Sequence, residues 1–136
     1  METTAKRFRK REAILACLQG TTSHPGAEWL FEQLKPQIPD LSLGTVYRNL
    51  SLFKEQGKII SVGTVKGVER FDANTAPHVH FICNGCGRVL DLAQIQVPTQ
   101  LSDAAASSMG GRVDSCQLTF AGLCGACKTP YKEETL

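Results

Sequence analysis

"LSLGTVYRNLSLFKEQGKI" (residues 41–59) is the stretch on which the fold turns. Ser42 can cap a helix, Val46, Leu50 and Phe53 recur as an apolar stripe, and Gly57 supplies a stop. The other face carries Thr45, Tyr47, Arg48 and Ser51. A core helix of any globular protein can show such a stripe. Hydroxyl, phenol and guanidinium groups on the outward face instead suit a helix that meets phosphates and base edges. The flanking sequence separates the two readings.

Upstream, "REAILACLQG" (11–20) places Ile14, Leu15 and Leu18 on one helical face and closes at Gly20. "GAEWLFEQLKPQIPD" (26–40) places Trp29, Leu30 and Leu34 at helical spacing, with Pro36 and Pro39 ending the helix. Downstream, "KIISVG" (58–63) and "GVERFD" (67–72) read as two strands joined through Thr64–Lys66. Three helices and a hairpin make a winged helix-turn-helix, whose third helix enters the major groove of DNA while the hairpin lies along the backbone. The fold class expected is therefore α+β, with the DNA-binding domain first.

The charge supports this. The net charge is +2, but residues 1–70 carry eleven Lys/Arg against seven Asp/Glu, and residues 71–136 carry four against six. "KRFRKR" (6–11) gathers five basic residues in six positions. Beside a helix-turn-helix, such a run points to phosphate contact rather than to a merely solvated helix start. The DNA-binding residues expected are Lys10, Arg11, Thr45, Tyr47 and Arg48.

The hydrophobic fraction (42%) and the charged fraction (21%) are those of a globular protein. No apolar run reaches the roughly 18–20 residues of a membrane span, and the N-terminus lacks a signal-peptide core, so a cytoplasmic protein without a membrane partner is expected. In that compartment thiols stay reduced.

The second half changes character. "HVHFIC" (78–83) and "GRVLDL" (87–92) read as strands, "PTQLSDAAASSMGG" (98–111) as a short helix, and "GRVDSCQLTFAGLC" (111–124) as a returning strand. The domain junction falls near residues 72–77, giving a first domain at 1–73 and a second, small α/β domain at 74–136. Within the second domain, Cys83, Cys86, Cys124 and Cys127 form two C-x-x-C pairs thirty-seven residues apart. Each pair, on a turn containing Gly85 or Gly125, supplies one edge of a tetrahedron. Together they close a four-thiolate shell with no open position, as structural Zn²⁺ requires.

His78 and His80 are left over. Alternating strand residues share a face, so both imidazoles can meet one ion. His24, Asp72 and Asp91 are the donors nearest to join them. A mixed nitrogen and oxygen set suits Fe²⁺, Mn²⁺ or Zn²⁺. On spacing alone a second metal site stays open, since each of these residues also occurs as an ordinary turn residue or strand end.

"SLGTVYRNL", "RFD", "HVHFICNGCG" and "LCGAC", in this order over residues 7–127, resemble the ferric uptake regulator family of bacterial metal-dependent repressors. The resemblance implies a winged-helix DNA-binding domain, a metal-binding dimerisation domain, a homodimer, and double-stranded operator DNA as partner. It places a regulatory Fe²⁺ or Mn²⁺ on His24, Asp72, His78, His80 and Asp91, and structural Zn²⁺ on the four cysteines. "PHVH" and Asp91 resemble the peroxide-sensing members; iron-uptake members usually read "HHDH" and carry Glu at the Asp91 position. That subtype implies Fe²⁺-catalysed oxidation of His24 or His78, loss of metal and release of DNA. A repressor answering iron or zinc supply is the alternative. A metalloenzyme is disfavoured, because no Glu or Ser near the H-x-H stretch offers a base or nucleophile. Two departures stand out. The family's first helix is nearly absent, and Cys116, read as a buried strand cysteine, stands where many members place a histidine.

Overall fold

The computed structural model describes residues 3–128. The chain forms two compact units, Met1–Thr75 and Ala76–Leu136.

The first unit holds helices α1 (Thr4–Gln19), α2 (Ala27–Leu34) and α3 (Leu43–Glu55) and an antiparallel hairpin of β1 (Ile60–Val65) and β2 (Val68–Asp72). α1 begins seven residues earlier than the apolar pattern predicted. The Thr3 hydroxyl accepts the Lys6 amide at 3.1 Å and caps it, so the basic run lies inside the helix. Polar residues on every side of that first stretch hide its period; the buried stripe starts only at Lys10, Ile14 and Leu18. On α2 the buried residues are Ala27, Leu30 and Leu34, whereas Trp29 is exposed, contrary to expectation. Ser42 caps α3 as predicted, its hydroxyl accepting the Thr45 amide at 3.1 Å. Val46, Leu50 and Phe53 enter the core together with Ile59 and Phe71. Each such side chain contributes roughly 1.5–3 kcal/mol by leaving water.

The hairpin turns at Lys66 and Gly67, both with positive φ (52° and 81°), between the paired Val65 and Val68. Two left-handed residues form the turn that matches strand twist, one residue later than the predicted link.

In the second unit, β3 (Val79–Cys83) is central, flanked by antiparallel β4 (Val89–Asp91) and parallel β5 (Leu118–Gly122). The parallel pairing needs a crossover, and α4 (Thr99–Met109) lies within it. Pro98 precedes α4, and Gly110 ends it in the left-handed conformation. Only Leu118–Gly122 of the predicted 111–124 strand is a strand; Cys116 therefore lies outside it and is half-buried rather than buried. Among the described residues, the buried apolar side chains of this unit are Val79, Cys83, Val89 and Cys124, and α4 buries none. A core this small needs a staple.

Candidate metal centres and nucleic-acid interface

The staple is at the end of β3. The Cys83 amide donates to the Arg88 carbonyl and the Gly87 amide to the Cys83 carbonyl, both at 2.9 Å, closing the first knuckle. In the second, the Cys127 amide donates to the Cys124 carbonyl at 3.0 Å. The Asn84 amide, donating to the Gly122 carbonyl at 2.7 Å, ties the first knuckle to β5. One sulfur atom from each of the four cysteines lies within 4.8 Å of the others, and none is in a disulfide. Cys86 Sγ and Cys124 Sγ stand 3.8 Å apart. A tetrahedron with metal–sulfur bonds of about 2.3 Å has edges of about 3.8 Å.

The electrostatics match. Amides of Cys124 and Cys86 donate to Cys83 Sγ at 3.3 and 3.4 Å. Led by the Cys124 amide, these donors lower the Cys83 pKa to about 5. The Cys127 thiol, which shares its proton first with Cys83 and then with Cys124, is pushed up to about 12. The backbone thus stabilises negative sulfur, and a divalent cation lets all four ligands ionise together. Gly85 is sterically required, because a Cβ there would lie 2.9 Å from Cys127 Sγ; Gly125 is not, having open space around it.

The nitrogen and oxygen donors form one group in each unit. In the first, His24 Nε2 faces Asp72 Oδ2 at 3.1 Å, with both residues buried. In the second, His80 and Asp91 are direct partners across β3 and β4. Nε2 of both His78 and His80 faces Asp91 Oδ1 at 3.3 Å. The two rings lie 4.2 Å apart, so the alternation in the sequence does bring them to one face. His78 Nδ1 is 2.7 Å from the Ala76 carbonyl, which assigns its proton to Nδ1 and leaves the Nε2 lone pair as the donor. Neutral imidazole and carboxylate without thiolate fit a first-row divalent ion harder than the one a four-sulfur shell selects.

On α3, Tyr47 is half exposed, and Arg48 donates through Nη2 to Thr45 Oγ1 at 3.0 Å. Arg11 Nε donates to Asn49 Oδ1 at 3.1 Å, while Asn49 Nδ2 donates to the Thr45 carbonyl at 2.9 Å. Arg7, Arg11, Thr45, Arg48, Asn49 and Leu52 line a cleft of about 370 Å³ between α1 and α3. Three guanidinium groups and no carboxylate line it, an arrangement suited to a phosphate oxygen. Lys10 does not belong to this surface. It is buried, its ammonium 3.2 Å from the Asp40 carboxylate and 3.4 Å from the Asp40 carbonyl, and it holds the Asp40 carboxyl below its ordinary range. Lys10, expected to contact phosphate, is here engaged by a partner thirty residues away in sequence.

A family model described as the ferric uptake regulator family matches residues 2–121. The chain belongs to that family. Among its relatives, the peroxide-responsive repressor PerR of Staphylococcus epidermidis is 32% identical over 119 residues, covering 88% of this chain and 79% of that protein. The peroxide operon regulator of Bacillus subtilis is 32% identical over 126 residues, covering 93% and 86%. The solved structure of the Campylobacter jejuni peroxide stress regulator superposes with a TM-score of 0.78 at 25% identity, covering 90% of this chain and 92% of that one.

As a member of the ferric uptake regulator family, the chain is a metal-responsive repressor, and its fold is the α+β arrangement of winged helix and small α/β domain that the sequence implied. Two residues that line the cleft between α1 and α3 escaped the sequence reading. Arg7 was hidden within the basic run. Asn49 is polar and buried on α3, and its only signal was its place on the α1-facing side of that helix.

Proposed function

We propose that the protein is a homodimeric, metal-dependent repressor that binds operator DNA in the cytoplasm and releases it when peroxide oxidises His24 or His78. The observation that carries this reading is the division of ligands. Four cysteines offer only sulfur, whereas His24, Asp72, His78, His80 and Asp91 offer nitrogen and oxygen without a thiolate. His24 and Asp72 together with His78, His80 and Asp91 would hold one regulatory ion, and the four cysteines structural Zn²⁺. Fe²⁺, if held by His24, Asp72, His78, His80 and Asp91, would supply the redox chemistry that activates peroxide beside these imidazoles. Ligands drawn from both units would fix one relative orientation of the domains, which in a dimer sets the spacing of the two α3 helices on a palindromic site. His24 and His78 then act as the sensing groups. Peroxide transfers one oxygen to an imidazole carbon and leaves as water, and the oxidised ring binds metal more weakly. Metal-dependent and DNA-dependent affinities are linked, so losing one loosens the other.

The homodimer is supported by apolar surface that the second unit leaves open. Leu101 and Met109 on α4 and Phe120 on β5, at the edge of the sheet, are exposed. A second copy would cover both the edge and the apolar side chains. Among the described residues no helix is long and apolar enough to cross a membrane.

The test is operator binding by zinc-retaining protein titrated with Mn²⁺. Binding should appear with Mn²⁺, vanish when a chelator removes it, and fail in Asp91→Ala. Operator binding that ignores added metal contradicts the proposal.

A further inference from the structure

The segment Ser23–Gly26 touches β2 through one backbone hydrogen bond, the Phe71 amide donating to the Pro25 carbonyl at 3.0 Å. Gly26 allows this approach, since a Cβ there would lie 2.5 Å from Val68 Cγ1. One residue earlier, His24 has a φ of 53°, in the left-handed region that side-chain-bearing residues rarely adopt. Such a conformation persists only where its surroundings impose it. Arg70 imposes it. Its guanidinium donates through Nε to the His24 carbonyl and through Nη2 to the Ser23 carbonyl, the latter at 2.8 Å. Arg70 and Asp72 are two apart on β2 and so project from the same face of the strand.

We propose that Arg70 is a positioning residue for the regulatory metal. Its planar fork grips two successive carbonyls, holds His24 in its left-handed turn and thereby presents the imidazole to the Asp72 carboxylate. The inference rests on the reading of His24 and Asp72 as metal ligands. Lysine cannot reproduce the grip, because one ammonium on a flexible stem has no fixed two-pronged geometry. Without the clamp the turn relaxes to ordinary backbone angles, and the fraction of molecules ready to bind falls, weakening the apparent affinity by the same factor.

The test uses full-length, zinc-loaded protein and Mn²⁺ as the probe, with calorimetric titration and thermal melting of wild type, Arg70→Ala, Arg70→Lys and His24→Ala. Arg70→Ala should bind Mn²⁺ about 10- to 100-fold more weakly, the range typical of lost outer-shell partners. Arg70→Lys should fall between it and wild type. Without Mn²⁺, Arg70→Lys should melt with wild type, and its melting temperature should rise less on adding the metal. A purely structural role would instead lower the Mn²⁺-free melting temperature of Arg70→Lys in step with affinity, and that result overturns the clamp. Unchanged affinity in both Arg70 variants, with His24→Ala weakened, also overturns it while sparing the metal reading. If His24→Ala itself binds Mn²⁺ as wild type does, the metal reading fails and the clamp with it.

Discussion

Replacing Gly85 by alanine should break the four-cysteine centre, whereas the same change at Gly125 should not. Neither position has the left-handed backbone that would by itself demand glycine, so the difference is one of space. At Gly85 the new methyl would lie 2.9 Å from Cys127 Sγ, 3.0 Å from Cys127 Cβ and 3.3 Å from Leu123 Cδ2. Relaxing the closest contact to the ~3.5 Å of ordinary packing requires a shift of about 0.6 Å. Metal–ligand distances tolerate only about 0.2 Å. The sulfur must therefore leave its vertex or the first knuckle must move away from the second. Overpacking of this kind costs about 1–3 kcal/mol. In a unit with so few buried apolar side chains, that corresponds to a melting temperature lower by roughly 5–20 °C. The assay is zinc release to a colorimetric chelator, followed over time, with a thermal melt of the same samples. Gly85→Ala should release zinc faster and melt earlier, and Gly125→Ala should match wild type. Equal zinc retention in the two variants would refute the argument.

Four further outcomes follow from the geometry. Arg11→Ala should weaken binding to all DNA sequences and reduce the slope of log affinity against log salt by about one, whereas Lys10→Ala should leave that slope unchanged. Asp91→Ala, which removes the oxygen that both His78 and His80 face, should weaken Mn²⁺ binding measured by titration. Asp91→Glu, whose longer arm can chelate through both oxygens, should keep metal-dependent operator binding but suppress histidine oxidation measured by peptide mass. Phe53→Ala, at a position 1% exposed in the first-unit core, should cost about 3–5 kcal/mol in denaturant unfolding.

Much of this molecule could be read from its residues because its signals are local. Ser42, Val46, Leu50 and Phe53 define α3 through the 3.6-residue period alone, and the two C-x-x-C pairs declare their chemistry by spacing. What escaped depends on partners distant in sequence. Lys10 reads as one cation among five, and only the fold reveals its contact with Asp40. Asn49 gains meaning from Arg11, thirty-eight residues away. Trp29 fits the helical period of α2, yet Ala27 takes the buried place beside Leu30 and Leu34. Residues 111–117 continue an apparent strand, but pairing with β3 begins only at Leu118 opposite Val79. The five nitrogen and oxygen donors carry no spacing rule of their own, so the family resemblance rather than periodicity assembled them.

The central claim is that imidazole oxidation, not metal supply, switches the repressor. The most direct measurement loads zinc-intact protein with Fe²⁺ or with Mn²⁺, adds peroxide, and follows operator binding and the masses of the His24 and His78 peptides in the same samples. The Fe²⁺ form should gain one oxygen on one of these peptides as it releases DNA, while the Mn²⁺ form stays bound and unmodified. An Fe²⁺ form that keeps its operator and both peptide masses would contradict the account and favour a regulator of iron or zinc supply.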